Sequence, residues 1–322
     1  MDFAQDAIQF LHRACAKHGK VFTMRLINQY ITVVMDPHSY ESVGKDRLLD
    51  FDPIQKQVNW NVFSFVLRHP RKMIKETGKT VRGPYLQQGM DNFVKNLDIA
   101  CRKMGSEGNL VGLRDFTADT IFSSIFNTVF GHSDQQAFHA KMVYRNFEIF
   151  HKFFNFFWLG FPKIWFPDAM DALKQLLLMP DAGDLLRRDD LSAYIRKAIE
   201  YMQQEGQTEG DIKGHNLVYL HVNYNTFRFA FWVLSNLLEH EDAMEALQKE
   251  IQQMVDLHYN PKTNTATFSV KEVEEMKVLG KMCCYELLCI KYIYVISVSL
   301  NKVFRGCPET VVLHCVGIFS VL

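Results

Sequence analysis

Apolar residues recur at helical spacing along most of this chain. Residues 113–130 are the clearest short example, because apolar residues there follow helical spacing up to Gly131: Phe116, Ile121, Ile125, Phe126 and Val129. Helical spacing predicts further helices over 3–18, 71–104, 190–204, 243–256 and 278–290. We therefore expect about ten helices, with an interruption at Gly83-Pro84.

A different pattern occupies residues 21–35. Apolar and polar residues alternate over 21–26 and 30–35 around a turn at 27–29, which predicts a β-hairpin. Asp36-Pro37 then opens a short helix. Residues 50–70 have no clear period. The fold class predicted is mainly α with one small β-hairpin.

The longest helical pattern, 212–240, contains no proline and is apolar most of the way round, which is typical of a central helix. Its middle nevertheless reads HVNYNTFRFAFW, where Asn223, Asn225, Thr226 and Arg228 crowd into two turns. Buried polar groups need partners, so this cluster requires a structural or functional reason. Farther on, Ser269 and Glu272 have the spacing of a capping box.

An aromatic run, FFNFFWLGFPKIWFP, spans residues 153–167 and contains Gly160 and Pro162. Aromatic packing under a loop is the first interpretation. A membrane-dipping or substrate-entry surface is the second.

Composition excludes some classes of function. Lys plus Arg and Asp plus Glu both number 36 among the 322 residues, so no basic excess favours nucleic acid. The hydrophobic share is 48%, and the 26 Phe indicate a large apolar interior or an apolar-ligand pocket. No 18-residue apolar run and no signal peptide occur, so the sequence alone predicts a soluble chain. The seven cysteines lack zinc-site spacing and favour reduced thiols.

Nucleotide-binding, zinc-protease and serine-hydrolase motifs are absent, and the histidines are scattered. Three stretches, taken together, indicate a family: KHGKVFTMRLINQYITVVMDPHSYESV over 17–43, the long helix with Asn225-Thr226 and Phe231-Trp232, and VEEMKVLGKMCCYELL over 273–288. In this order they resemble the cytochrome P-450 superfamily, in the branch of prostacyclin synthase and the cholesterol, oxysterol and sterol 12-alpha hydroxylases.

The resemblance implies a cytochrome P-450-like helical fold and a heme cofactor. It places Asn225 and Thr226 over the distal face of the heme, where they would hydrogen-bond oxygen or relay protons. In members similar to prostacyclin synthase, Asn225 would instead orient an endoperoxide. The alternative is that Thr226 bonds back to the carbonyl of Val222 and Asn225 faces a polar loop.

The sequence also departs from the branch. Tyr224 stands where the branch has glycine, and we expect its phenol to clash with the heme or to fill the oxygen pocket. Arg228 replaces proline and needs an anionic partner such as a heme propionate or a carboxylate. Glu286 is the remnant of the ExxR pair, because position 289 is Cys289. Cys307 follows Phe304 too closely to fit the FxxGxxxCxG loop, so we expect no metal ligand there.

We therefore expect residues 1–288 to form a partial cytochrome P-450 domain, truncated at the C-terminus, and 289–322 to be an unrelated or aberrant tail. The resemblance implies sterol hydroxylation or prostanoid endoperoxide isomerisation at the endoplasmic reticulum membrane, and we expect the chain as given to be inactive because the cysteine ligand region is absent. A hydroxylase would need a reductase partner, and the branch's membrane anchor is missing. The alternatives are a non-catalytic truncated isoform or gene-model fragment, and a helical module that binds apolar ligands through 153–166.

Overall fold

The structure of the chain is a computed structural model, and it describes residues 7–26, 29–46, 52–107, 111–262, 265–280, 296–299 and 310–314. Two compact units divide the chain: residues 58–283 form the larger one, and residues 1–57 with 284–322 form the smaller one.

The described residues are mainly helical, as the sequence predicts. The α-helices are α1 (Ala7–His18), α2 (Tyr40–Lys45), α3 (Asp52–Asn61), α4 (Pro70–Thr77), α5 (Pro84–Glu107), α6 (Leu113–Thr117), α7 (Ser123–Phe130), α8 (Ala140–His151), α9 (Phe154–Trp158), α10 (Pro167–Leu176), α11 (Ala182–Leu186), α12 (Ala193–Gln204), α13 (Glu209–Glu239), α14 (Glu241–His258) and α15 (Val270–Glu274). The strands are β1 (Val21–Leu26), β2 (Gln29–Val34), β3 (Tyr259–Asn260), β4 (Thr265–Ala266), β5 (Ile296–Ser299) and β6 (Thr310–His314).

In the smaller unit, β1 and β2 form the predicted hairpin, paired antiparallel from Val21 opposite Val34 to Leu26 opposite Gln29. Alternation buries Phe22, Ile31 and Val33 on one face, because successive side chains of a strand point to opposite sides. A 3-10 turn over Pro37–Ser39 leads into α2. The predicted hairpin and the short helix after Asp36-Pro37 are therefore confirmed.

The same sheet continues with strands that the pattern did not predict. The strand order is β1-β2-β6-β5, with β6 parallel to β2 and β5 antiparallel to β6. Both added strands are rich in β-branched residues, as in TVVLH over 310–314. That residues 289–322 are an aberrant tail stays a prediction.

The larger unit contains α13, the long helix. Thr208 and Asp211 cap each other's backbone groups at its start, and the helix then runs for 31 residues. Leu217, Leu220 and Phe227 are almost fully buried along one side. This helix is the predicted central one and begins three residues earlier than the apolar pattern indicates.

The predicted helix over 113–130 is interrupted. Residues Ala118–Phe122 form a π-helical turn between α6 and α7. The backbone N–H of Ser123 donates to the carbonyl of Ala118 five residues earlier, as in a π-helix, and the Ser123 hydroxyl donates to the same carbonyl. Gly131 ends the segment with φ +75°, a conformation that favours glycine.

Phenylalanine fills the core of this unit, which accounts for the high aromatic content. Packed against one another are the rings of Phe122, Phe126, Phe130, Phe138, Phe147, Phe150 and Phe227. After α8, the aromatic run makes an elbow through α9, Gly160 at φ +89° and α10. Phe157 from this run is buried, whereas Trp165 and Ile164 are exposed.

Candidate functional site

Asn225 and Thr226 lie in the middle of α13 on a half-buried stripe. With 3.6 residues per turn, Val222, Asn225, Thr226 and Phe229 share one side of the helix, and all four are half-buried. On another side, Leu220, Tyr224 and Phe227 are buried in the aromatic core. Asn225 and Thr226 therefore lie together on a less buried side of the central helix.

The hydroxyl of Thr226 donates to the carbonyl of Val222 at 3.1 Å. This is the back-bond to the preceding turn that the structural alternative predicts. A hydroxyl oxygen that donates its proton still has lone pairs available to accept a hydrogen bond. The contact therefore fixes the position of Thr226 without using its accepting capacity.

Asn225 contacts a histidine rather than a polar loop. Its amide nitrogen lies 3.1 Å from Nε2 of His221, one turn earlier, and an amide N–H donates to a bare ring nitrogen. The proton of a neutral His221 then sits on Nδ1, which is buried with no hydrogen-bond partner among the described residues. His221 therefore orients Asn225 and carries an unsatisfied donor itself.

His221 belongs to an aromatic stack. Its ring lies 4.6 Å from that of Phe154 at an interplanar angle of 8° and 5.4 Å from that of His151 at 23°. Burial, with smaller effects of His151 and Arg228, lowers the pKa of His221 to about 3. Burial, with a smaller effect of Arg228, lowers the pKa of His151 to about 4. Both rings are neutral at pH 7, so the stack beside Asn225 is uncharged.

Tyr224 does not fill the space beside Thr226. Two residues along an α-helix turn the side chain by roughly 200°, so the two side chains point to nearly opposite sides. The phenol is 4% exposed and packs against Tyr144, Phe147 and His151. Tyr224 is therefore a core residue among the described residues, and its effect on an oxygen pocket stays a prediction.

The two remaining polar residues of the stretch have different surroundings. Arg228 is exposed, and within the described ranges no carboxylate forms an ion pair with it. Asn223 is 4% exposed, and its amide nitrogen has no hydrogen-bond partner in the part of the chain that the structure describes. Exposure removes the need for an anionic partner that the sequence suggested for Arg228.

Glu286, Cys289 and Cys307 lie outside the described residues. Of the described cysteines, Cys15 lies on α1 and Cys101 is exposed on α5. No group of three or more metal-ligating side chains occurs in the described ranges. The α13 stripe is compatible with one wall of a heme site, because it is half-buried and sets two polar side chains, Asn225 and Thr226, between the apolar Val222 and Phe229. The described residues include no candidate iron ligand at that stripe.

Sequence reasoning missed the pairing of His151 with His221, since each histidine was taken as an isolated residue. They lie 70 positions apart, and only the packing of α8 against α13 brings them together. The one available signal was local: HKFFNFF places His151 at the start of the aromatic run.

No family model matches the chain. Among curated proteins it is 28% identical over 275 residues to 7-alpha-hydroxycholest-4-en-3-one 12-alpha-hydroxylase of Oryctolagus cuniculus, covering 78% of this chain and 53% of that protein. It is 26% identical over 303 residues to prostacyclin synthase of Rattus norvegicus, covering 88% of this chain and 60% of that protein. The chain thus spans little more than half the length of the curated relatives it matches.

Solved structures agree on the fold. A retinoic acid-bound cyanobacterial cytochrome P-450 superposes with a TM-score of 0.66 at 12% identity, covering 95% of this chain and 70% of that one. A zebrafish cytochrome P-450 with progesterone superposes with a TM-score of 0.65 at 13% identity, covering 87% and 70%.

Proposed function

We propose that this chain, a member of the cytochrome P-450 superfamily in the branch of prostacyclin synthase and the sterol 12-alpha-hydroxylases, supplies the distal wall of a heme-thiolate enzyme of lipid metabolism. The observation that carries the proposal is the half-buried polar stripe of α13. A central helix of a helical core buries apolar groups wherever it can. Asn225 and Thr226 are polar residues on one half-buried stripe of α13, whereas the other side of the helix is apolar and buried.

Thr226 and Asn225 would hydrogen-bond to water and to polar atoms of the substrate. The Thr226 hydroxyl, held by the Val222 carbonyl, presents its lone pairs to a donor on a ligand or a water. Asn225, held by the neutral ring of His221, presents its amide oxygen in a fixed orientation. A heme bound at this stripe would supply the one-electron chemistry. The neutral aromatic stack behind it would keep water away.

The substrate class proposed is a sterol or a prostanoid lipid, after the relatives. A hydroxylase would take electrons from a reductase, whereas an endoperoxide isomerase would need none. Residence at the endoplasmic reticulum membrane is proposed on the same basis. No helix in the described ranges is long and apolar enough to cross a membrane.

The test is titration of the purified chain with hemin, followed by reduction and exposure to carbon monoxide. Saturable hemin binding with a carbon monoxide-sensitive absorption band is the expected result, and a thiolate-type band would in addition identify a cysteine ligand in this chain. We further expect Thr226→Val, which removes the hydroxyl but keeps the shape, to shift the infrared stretching frequency of the carbon monoxide. Ser235→Ala, which removes a hydroxyl elsewhere on α13, is the matched control and should leave that frequency unchanged.

Absence of a thiolate-type band would exclude this activity for the chain as given. The chain would then be a non-catalytic helical fragment of the superfamily. Sequencing the transcript past the codon for Leu288 distinguishes the two cases, because a reading frame that continues into FxxGxxxCxG would identify a longer enzyme.

A further inference from the structure

A cavity of about 320 Å³ opens at the surface of the larger unit, where the aromatic elbow meets the segment after α3. Its lining is mostly aromatic and apolar, with one amine: Trp60, Asn61, Ser64, Phe157, Gly160, Phe161, Pro162 and Lys163. Asn61 fixes one edge, because its amide nitrogen donates to the carbonyl of Trp158 at 3.2 Å. The cavity is thus built by residues from two distant parts of the sequence.

Lys163 is half-buried at this cavity, and its amine donates to the hydroxyl of Ser64. Ser64 itself is held in a left-handed conformation at φ +59°, which costs free energy for a residue other than glycine. In the described ranges no carboxylate lies within ion-pair distance of the Lys163 amine. A neutral hydroxyl is therefore the amine's hydrogen-bond partner at the cavity.

Burial lowers the pKa of Lys163 to about 8. The lining contains no other charged or readily titratable side chain, so no neighbouring charge within the cavity compensates the ammonium group. At pH 7 the amine is still mostly protonated. A half-buried cation against aromatic walls is costly alone and becomes favourable when an anion pairs with it.

We propose that this cavity is a binding site for a lipophilic carboxylate, whose apolar chain lies against Trp60 and Phe161 and whose carboxylate pairs with Lys163. The charge of the lysine selects an anion, and the aromatic walls select an apolar body. The volume is at the small end of ligand sites, which favours a medium-chain or aromatic acid. This inference goes beyond the proposed heme chemistry, because none of the lining residues belongs to α13.

The test is calorimetric titration of the full chain with decanoate, with decanol as the uncharged ligand of matched length. We expect saturable decanoate binding at pH 7 and at least tenfold weaker binding of decanol. Lys163→Met, which keeps the length of the side chain and removes its charge, should weaken decanoate at least tenfold and leave decanol unchanged. Lys152→Met, at an exposed lysine just after α8, is the control and should bind decanoate as the native chain does.

A pH series supplies a second readout. Decanoate affinity should hold near pH 7 and fall as the pH rises through about 8, where the amine loses its proton. Equal binding of decanoate by the native chain and Lys163→Met would overturn the proposal. So would equal affinity for decanoate and decanol, or no saturable binding below about 1 mM. Circular dichroism of both variants verifies that they fold.

Discussion

The neutral stack of His151 and His221 makes the stability of the larger unit sensitive to acid. Each ring has an ordinary pKa of 6.5 when the chain is unfolded, and the folded protein lowers these pKa values to about 4 and about 3. As the pH falls below 6.5, the two histidine rings become protonated in the unfolded chain but stay neutral in the folded chain. Stability is therefore present near neutral pH and is lost progressively on acidification.

The size of the loss follows from these values. At pH 5 the solution is about 1.5 pH units below the unfolded pKa, and each pH unit is worth about 1.36 kcal/mol. Each ring thus removes about 2 kcal/mol from the free energy of unfolding between pH 7 and pH 5. The two rings together remove roughly 4 kcal/mol, which is a large part of the stability of an ordinary domain.

The perturbation is His221→Phe. Phenylalanine keeps a flat ring against Phe154 and His151, loses the hydrogen bond with Asn225, and cannot be protonated. The assay is urea denaturation at pH 7 and pH 5 for the native chain and the variant. We expect the variant to lose about 2 kcal/mol less than the native chain on acidification. His240→Phe replaces an exposed histidine at the end of α13 and should lose as much as the native chain.

Equal acid losses in the native chain and His221→Phe would refute this reasoning. That outcome would mean that the ring of His221 reaches solvent in the folded protein and takes up its proton at an ordinary pH. A larger loss in the variant would mean that its packing, and not its charge, determines the acid response.

Three further predictions can be measured by urea denaturation at pH 7. Gly214→Ala would place a methyl group 2.8 Å from Cβ of Phe65 and 2.9 Å from the carbonyl oxygen of Phe63, so we expect the free energy of unfolding to fall by about 1–3 kcal/mol. Gly89→Ala, which has open space around it in α5, should raise the free energy of unfolding by about 0.5–1 kcal/mol. A fall of the same size at both positions would contradict the packing argument. Tyr224→Gly, which introduces the residue of the branch, should lower the free energy of unfolding by about 4–6 kcal/mol, because it empties a core position and adds a helical glycine. An unchanged free energy of unfolding would show that Tyr224 is not a core residue. Asp211→Ala should cost about 1–2 kcal/mol, since the carboxylate caps α13 and also accepts from the backbone N–H of Val66, and an unchanged midpoint would argue against this cap.

Local patterns predicted the elements whose signals are themselves local. The hairpin follows from alternation on both sides of a turn, and α13 follows from a long apolar pattern without proline. The capping box of Ser269 and Glu272 is confirmed, since both bonds form. The helix predicted over 278–290 lies mostly outside the described residues.

Other elements gave weak or misleading signals. Helix α3 was missed because DPIQKQVNWN is polar and has few periodic apolar positions, although Asp52-Pro53 is a common helix start. The π-helical turn inside the predicted helix over 113–130 was missed, because hydrophobic spacing alone does not reveal one additional residue in a turn. Strands β5 and β6 depend on pairing with a hairpin far away in the sequence.

The candidate site was predicted in part. The family resemblance named Asn225 and Thr226, and the structure places both on one stripe of α13, but their role in chemistry stays a prediction. Helix geometry alone could have separated Tyr224 from that stripe. The contact between Ser64 and Lys163 joins residues 99 positions apart, and no local pattern announces it.

The π-helical turn at Ala118–Phe122 also bears on how this chain tolerates changes in length. An α-helix that loses or gains one residue rotates everything beyond that point by roughly 100° and misplaces its apolar face. A wider turn already contains the additional residue and confines the rotation to a single loop of backbone. A one-residue deletion between the start of α6 and the end of α7 would therefore disturb the phenylalanine core least if it fell within residues 118–122. The register of Phe126 and Phe130 would then be kept.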